Sequence, residues 1–180
     1  MSIEGQRIEK RGIRDVGVIN WIICRIAAKA VGAEHMNLFD TLAVHKRLFW
    51  SWLPFSGMLL GGGRIPRQDT EMIILRVAYL CECEYELQHH TRIARRFRLD
   101  DVWQQKICSY PDYSGLTHRQ EALLQAVDEM VLSRTISDDT WAELAVYLDK
   151  KQCVEFAMLV SQYEALATTI ATLRIQTDFA

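Results

Sequence analysis

Asp69-Thr70-Glu71-Met72-Ile73-Ile74-Leu75-Arg76-Val77-Ala78-Tyr79-Leu80 follows Pro66 and holds no glycine or proline. Its apolar residues do not alternate with period two, so a helix is expected through it rather than a strand. The segment Glu84 to Phe97 continues in helical register and ends in Arg92, Arg95, Arg96 and Arg98. Positive charges suit a helix C-terminus, and the basic run reads as a solvated helix end rather than a nucleic-acid patch.

Outward from this centre the same period recurs. Towards the N-terminus, Val16 to Val31 reads as a helix stopped by Gly32, Asn37 is expected to cap a short helix through His45, and Lys46 to Leu53 reads as another. Pro54 is expected to interrupt that pattern before a short turn or helix over Phe55 to Leu60. Gly61-Gly62-Gly63 reads as a flexible connector, since no strand precedes it and no Lys-Ser/Thr follows, as a phosphate-binding loop requires.

Towards the C-terminus, Leu99 to Cys108 is a short helix closed by a turn over residues 110–115. Thr117 with Gln120 gives a capping box for a helix to about Ser133, and Ser137 caps the next, which runs to about Leu148. The last helix, Lys150 to Arg174, is the longest and most apolar. The expected fold class is all-α: a helical domain over 16–180, with its core motif at 66–97, behind a polar arm over 1–15.

Composition agrees and excludes several classes of function. With 180 residues of which 49% are apolar, the chain can bury the core of one domain and keep surface for subunit contacts. A net charge of -2 gives no global attraction to nucleic acid or an anionic membrane. Three prolines and nine glycines favour long helices over a turn-rich β fold. The five cysteines are odd in number and scattered, which fits reduced thiols in a cytoplasmic protein rather than a disulfide framework. The apolar run Val16 to Ala28 is interrupted by Asn20 and Arg25, which suits a partly buried first helix better than a signal peptide or membrane span.

Nucleophiles, carboxylates and imidazoles concentrate in Cys81-Glu82-Cys83-Glu84-Tyr85-Glu86-Leu87-Gln88-His89-His90. On a helix, Cys83, Glu86 and His90 fall on one stripe, and Tyr79 joins it if the preceding helix runs straight on; Cys81, Tyr85 and His89 then point elsewhere. A carboxylate one turn from an imidazole orients it and raises its basicity, and the imidazole can take a proton from a nearby thiol or from a substrate. The plainer readings are a cysteine buried for packing and a surface Glu–His ion pair. Cys81, Cys83, His89 and His90 suit zinc chemically, but on one helix they radiate apart, so no metal is expected.

The string Asp69 to Ala78, followed by Cys83-Glu84-Tyr85-Glu86-Leu87-Gln88-His89-His90, resembles the core signature of the carboxymuconolactone decarboxylase / alkylhydroperoxidase D-like family. In the alkylhydroperoxidase D-like branch that signature is a glutamate, eleven residues, then Cys-x-x-Cys-x-x-x-His. Glu71, Cys83 and His90 hold the glutamate, first-cysteine and histidine positions, and Glu86 stands where the second cysteine would be. The string Tyr85 to His90 is instead similar to the decarboxylase-like branch, and Asn37-Leu38-Phe39 and Trp52-Leu53-Pro54-Phe55 look like the family's lead-in helices.

The resemblance implies a compact helical oligomer, a trimer or hexamer, acting on a small molecule without a cofactor. Its catalytic residues would be Cys83, Glu86, His90 and Glu71, with Tyr85, Tyr79 and Arg76 on the substrate. Two enzyme readings follow: proton transfer by Glu86 and His90 on a small organic acid or lactone, or a thiol peroxidase with Cys83 as its single reactive cysteine. A helical binding module with a vestigial site is the alternative of another class. Trp50, Trp52 and Phe55 are expected in the core or an interface rather than a pocket.

Overall fold

The structure is a computed structural model that describes residues 5–9, 12–112 and 114–179. Every regular element among them is helical. In chain order these are α1 (Ile13–Val16), α2 (Val18–Val31), α3 (Asn37–Leu42), α4 (Lys46–Gly57), a π-helical turn (Met58–Gly62), α5 (Arg67–Leu80), α6 (Glu84–Arg95), α7 (Asp101–Cys108), α8 (His118–Ser133), α9 (Asp138–Tyr147) and α10 (Lys150–Leu173). No helix among the described residues is long and apolar enough to cross a membrane.

The capping chemistry fixes most of the later boundaries. Thr117 and Gln120 form the expected reciprocal box at the start of α8. Ser137 caps α9, and Asp149 with Gln152 makes a second capping box that opens α10. Three expectations in the N-terminal half change. Asn37 is the first residue of α3 rather than its cap, and its amide donates to Asp178 Oδ1 at 2.9 Å. Pro54 does not interrupt the helix: it lies inside α4 as an exposed residue. The glycine run is no free connector, because Gly61 and Gly62 close the π turn and the Gly63–Ile65 backbone lies on Glu155. A Cβ at Gly63 would meet the Glu155 carboxylate, so a larger residue there would have to displace that side chain from the Arg64 and Ile65 amides.

Of the arm expected over 1–15, residues 1–4, 10 and 11 lie outside the described residues. Arg7 donates its amide to the Leu173 carbonyl at 3.0 Å, and Ile13 already begins α1. Tyr113, in the turn expected over 110–115, also lies outside them.

Helix α5 is the centre of the molecule. Every residue from Asp69 to Ala78 is buried, because α6, α7, α8 and α10 pack around it. A helix enclosed on all sides is ordinarily apolar all round. The buried stretch from Asp69 to Ala78 carries three charged residues, and each is provided for. Arg76 donates to both oxygens of Asp128 at 2.6 and 2.7 Å and to the carbonyls of Ile107, Cys108 and Tyr110, which ties α5 to α7 and α8. Asp69 accepts from Arg119, which also donates to the Tyr147 carbonyl. Glu71 faces α6.

Helices α5 and α6 form a hairpin, so the straight continuation that would have put Tyr79 on the stripe does not occur. Helix α5 ends at Leu80, Glu82 takes a left-handed φ of 51°, and α6 begins after Cys83. So short a connection returns α6 antiparallel along α5 and brings the end of one to the start of the other.

Removing Asp128 would leave a buried guanidinium facing only carbonyls. Asp128→Ala is expected to cost about 3 kcal/mol of unfolding free energy, with Arg76→Met/Asp128→Leu recovering much of it. Denaturant titration at fixed protein concentration checks this; a loss below about 1 kcal/mol would show that the pair does not hold the helices together.

Candidate active site

His90 sits on the inner face of α6, buried between two carboxylates. Its Nδ1 lies 2.7 Å from Glu71 Oε2 on α5, and its Nε2 lies 3.3 Å from Glu86 Oε2 one turn back on α6. Arg67, one turn before Glu71, places Nη2 2.5 Å from Glu71 Oε1 and stacks its guanidinium over Phe97. Tyr163 of α10 meets the imidazole edge-on, with ring centroids 5.1 Å apart. The chain of groups is therefore Arg67, Glu71, His90, Glu86.

The charges explain why this row survives burial. Burial alone favours neutral imidazole, but the hydrogen bond and charge of Glu71, aided by Glu86, outweigh it and push His90 up to about 9. At neutral pH both ring nitrogens then carry protons and each donates to a carboxylate. Two carboxylates, one imidazolium and one guanidinium balance in charge. Tyr163 is driven well above its ordinary value by burial and by Glu86 and Glu71, so its phenol stays neutral.

The row opens on a cavity of about 230 Å³. Helix α6 contributes Tyr85, Glu86, His89, His90 and Ile93 to its wall. Leu38, Phe39, Trp52, Leu53 and Leu60 close it from the N-terminal half, and Gln162, Tyr163 and Leu166 from α10. Glu86 Oε2 is engaged by His90, whereas Glu86 Oε1 is buried with no hydrogen-bond partner among the described residues.

Of the residues expected on the site, Glu71, Glu86 and His90 are brought together. Cys83 is not on the cavity wall. The break after Leu80 makes it the N-cap residue of α6, packed with Leu38, Tyr85, Leu166, Ala167 and Ile170. The residue is 6% exposed, and burial pushes its thiol up to about 11 despite the amides of Glu86 and Tyr85. Tyr79 is on the far side of the break, half exposed, with Arg76 over its ring. Arg76 is committed to Asp128 and the carbonyls described above, so neither reaches the cavity.

Tyr85 and His89, expected to point away from the stripe, both reach the cavity wall because it spans a wide arc of α6. The two rings stack with centroids 4.7 Å apart, and Asp178 holds both from behind: Tyr85 Oη donates to Asp178 Oδ2 at 2.5 Å, and His89 Nε2 lies 2.9 Å from the same oxygen. Trp52 is both core and cavity wall, while Trp50 and Phe55 are partly exposed. No group of three or more His, Cys, Asp or Glu among the described residues is arranged to hold a metal ion.

Sequence reasoning missed Arg67, Tyr163, Gln162 and Asp178. Arg67 was readable as an i,i+4 partner of Glu71; the other three reach the site only through tertiary packing.

Residues 46–129 match the model of the carboxymuconolactone decarboxylase family, a span that holds the whole hairpin and all four groups of the row. Over this central span the chain is similar to the carboxymuconolactone decarboxylase family. No curated protein sequence matches it. Among solved structures it is similar to an uncharacterised peroxidase-related protein from Silicibacter sp. TM1040, with TM-score 0.83 at 15% identity over 96% of this chain and 92% of that one. An alkylhydroperoxidase AhpD core protein from Ralstonia eutropha JMP134 gives 0.82 at 15% identity, with the same coverage. The debrominase Bmp8, in a complex with 2,3,4-tribromopyrrole, gives 0.74 at 13% identity over 98% of this chain and 92% of that one. At such identities the likeness is one of fold.

The raised His90 has a consequence for stability. A histidine that titrates higher folded than its ordinary 6.5 stabilises the fold fully below that value, and the contribution fades as pH climbs through about 9. His90→Gln is therefore expected to flatten the loss of stability between those limits. Unfolding midpoints measured across the range check this; a wild type that gains stability relative to the variant as pH rises would contradict the imidazolium.

Proposed function

We propose that this protein is a cofactor-free acid–base enzyme that moves a proton on a small organic molecule held in the cavity. Glu86 is the proton acceptor, His90 its counter-charge and partner, and Glu71 with Arg67 the support. The observation that carries the reading is the division of labour at Glu86, a residue of the cavity lining: Oε2 lies beside the His90 ring, while Oε1 is buried with no hydrogen-bond partner among the described residues.

The step balances without an oxidant or reductant. A substrate C–H beside a carbonyl or similar electron-withdrawing group breaks as Glu86 Oε1–H forms. The electron pair stays on the substrate as an enolate-like anion. The imidazolium of His90, one carboxylate away, stabilises that charge in a water-poor site. Return of the proton to a different atom completes an isomerisation. A lactone or related carbonyl compound fits this chemistry.

The peroxidase names of the fold relatives would place the reaction at Cys83. Its burial, its raised thiol and its place off the cavity count against it as a nucleophile, since the thiolate is the reactive form. Glu86 occupying the second-cysteine position also removes the dithiol partner.

Solvent-deuterium incorporation into a panel of small lactones and enolisable carbonyl compounds tests the proposal. Glu86→Gln is expected to lower the exchange rate by about 100-fold or more and His90→Gln by a similar factor, whereas Cys83→Ser should leave it within about twofold. Loss of activity on Cys83→Ser alone, with Glu86→Gln active, would overturn the acid–base reading.

A further inference from the structure

We infer that the ligand of the cavity is an uncharged, one-ring to two-ring molecule that offers an N–H, O–H or acidic C–H to Glu86, and that carboxylate-bearing molecules are excluded. This deepens the proton-transfer reading and rests on it for the role of Glu86, but its physical basis is the wall of the cavity.

Size sets the first limit. A cavity of about 150 Å³ suffices for benzene, and the space here is about 230 Å³. Most of the wall is apolar: Leu38, Phe39, Trp52, Leu53, Leu60 and Ile93 are among its residues. Aromatic and branched aliphatic surfaces of this kind favour a flat, hydrophobic occupant.

Charge sets the second. No lysine or arginine is among the residues that line the cavity. Arginines outside the lining are engaged by other groups: Arg67 by Glu71 and Phe97, Arg76 by Asp128, Arg25 by Asp40, and Arg92 by the ring of Phe179. His90 is the one strongly cationic group on the wall, and Glu71 and Glu86 already flank it. His89 faces Asp178 in the same way. An incoming carboxylate would lose its hydration, meet no free cation and lie beside the carboxylate of Glu86.

Hydrogen bonding sets the third. Glu86 Oε1 is an acceptor with its place unfilled, on a residue 3% exposed. A carboxylate accepts and never donates, so a ligand reaches this oxygen favourably only with a donor. An apolar ring without a donor would fill the space yet leave that oxygen dry and unpaired, which costs affinity.

Three ring compounds of matched shape test this by titration calorimetry on the intact protein at pH 7: 4-ethylphenol, 4-ethyltoluene and 4-ethylbenzoate. The phenol is expected to bind, about 10-fold tighter than the toluene and about 100-fold tighter than the benzoate. Leu53→Trp, which fills the cavity from its wall, should abolish the binding; a circular-dichroism spectrum and melting curve like those of wild type certify that the variant is folded, and Leu60→Trp repeats the test from a second position. Binding of the benzoate as tightly as the phenol, equal binding of phenol and toluene, persistence of binding in both folded Trp variants, or no binding of any of the three would each overturn the inference. Equilibrium binding needs no turnover. Failure of deuterium exchange with these affinities intact would therefore remove the proton-transfer reading and leave the cavity's selectivity, whereas the reverse result would do the opposite.

Discussion

Enclosing α5 on all sides while leaving charged residues on it is the constraint from which the rest of the structure follows. A buried charge without a partner is far more costly than the small net stability of a domain can absorb. Each charged residue between Asp69 and Ala78 therefore recruits a neighbouring element. Asp69 draws Arg119 of α8, Arg76 draws Asp128 and the end of α7, and Glu71 draws His90 of α6 and Arg67 of its own first turn. Two of these arrangements clamp helices. The third is the one to which we assign the proposed chemistry, because its partner can exchange a proton.

The functional asymmetry lies at the outer end of that third arrangement. Arg67 and Glu71 are closed into the protein, while Glu86 stands between His90 and the cavity. A charge-balanced row that ends in a buried, unpaired acceptor is suited to taking a proton and holding the resulting charge, and the apolar wall strengthens every interaction inside it. Cys83, at the N-cap of the same helix, is turned away from the cavity wall. Its position at the N-cap would favour a thiolate in an exposed site, yet the apolar neighbours supplied by α3 and α10 reverse the sign.

Much of this was legible in the chain. The all-α class, the capped starts of α8 and α9 and the long α10 follow from periodicity and caps. The Glu86–His90 pair follows from i,i+4 spacing, and the Glu71 contribution from the family signature. The break over Cys81-Glu82-Cys83 was not legible, since Glu82 is an ordinary helix former that takes a left-handed φ only because the hairpin needs to turn there. That single turn moved Tyr79 and Cys83 off the stripe. Arg76 looked like a substrate ligand because a lone arginine in an apolar run carries no sign of its partner, and Asp128 lies 52 residues away. Tyr163 and Asp178 were silent for the same reason: their meaning is tertiary.

The central claim is that His90 is an imidazolium held between two carboxylates at neutral pH. Nitrogen-15 NMR of the histidine side chains reads it directly, through the shifts of both ring nitrogens and their titration. The account predicts that His90 carries protons on both nitrogens at pH 7, loses one near pH 9, and that Glu71→Gln moves this titration downward. A neutral imidazole with a single protonated nitrogen at pH 7, unaltered by Glu71→Gln, would contradict it.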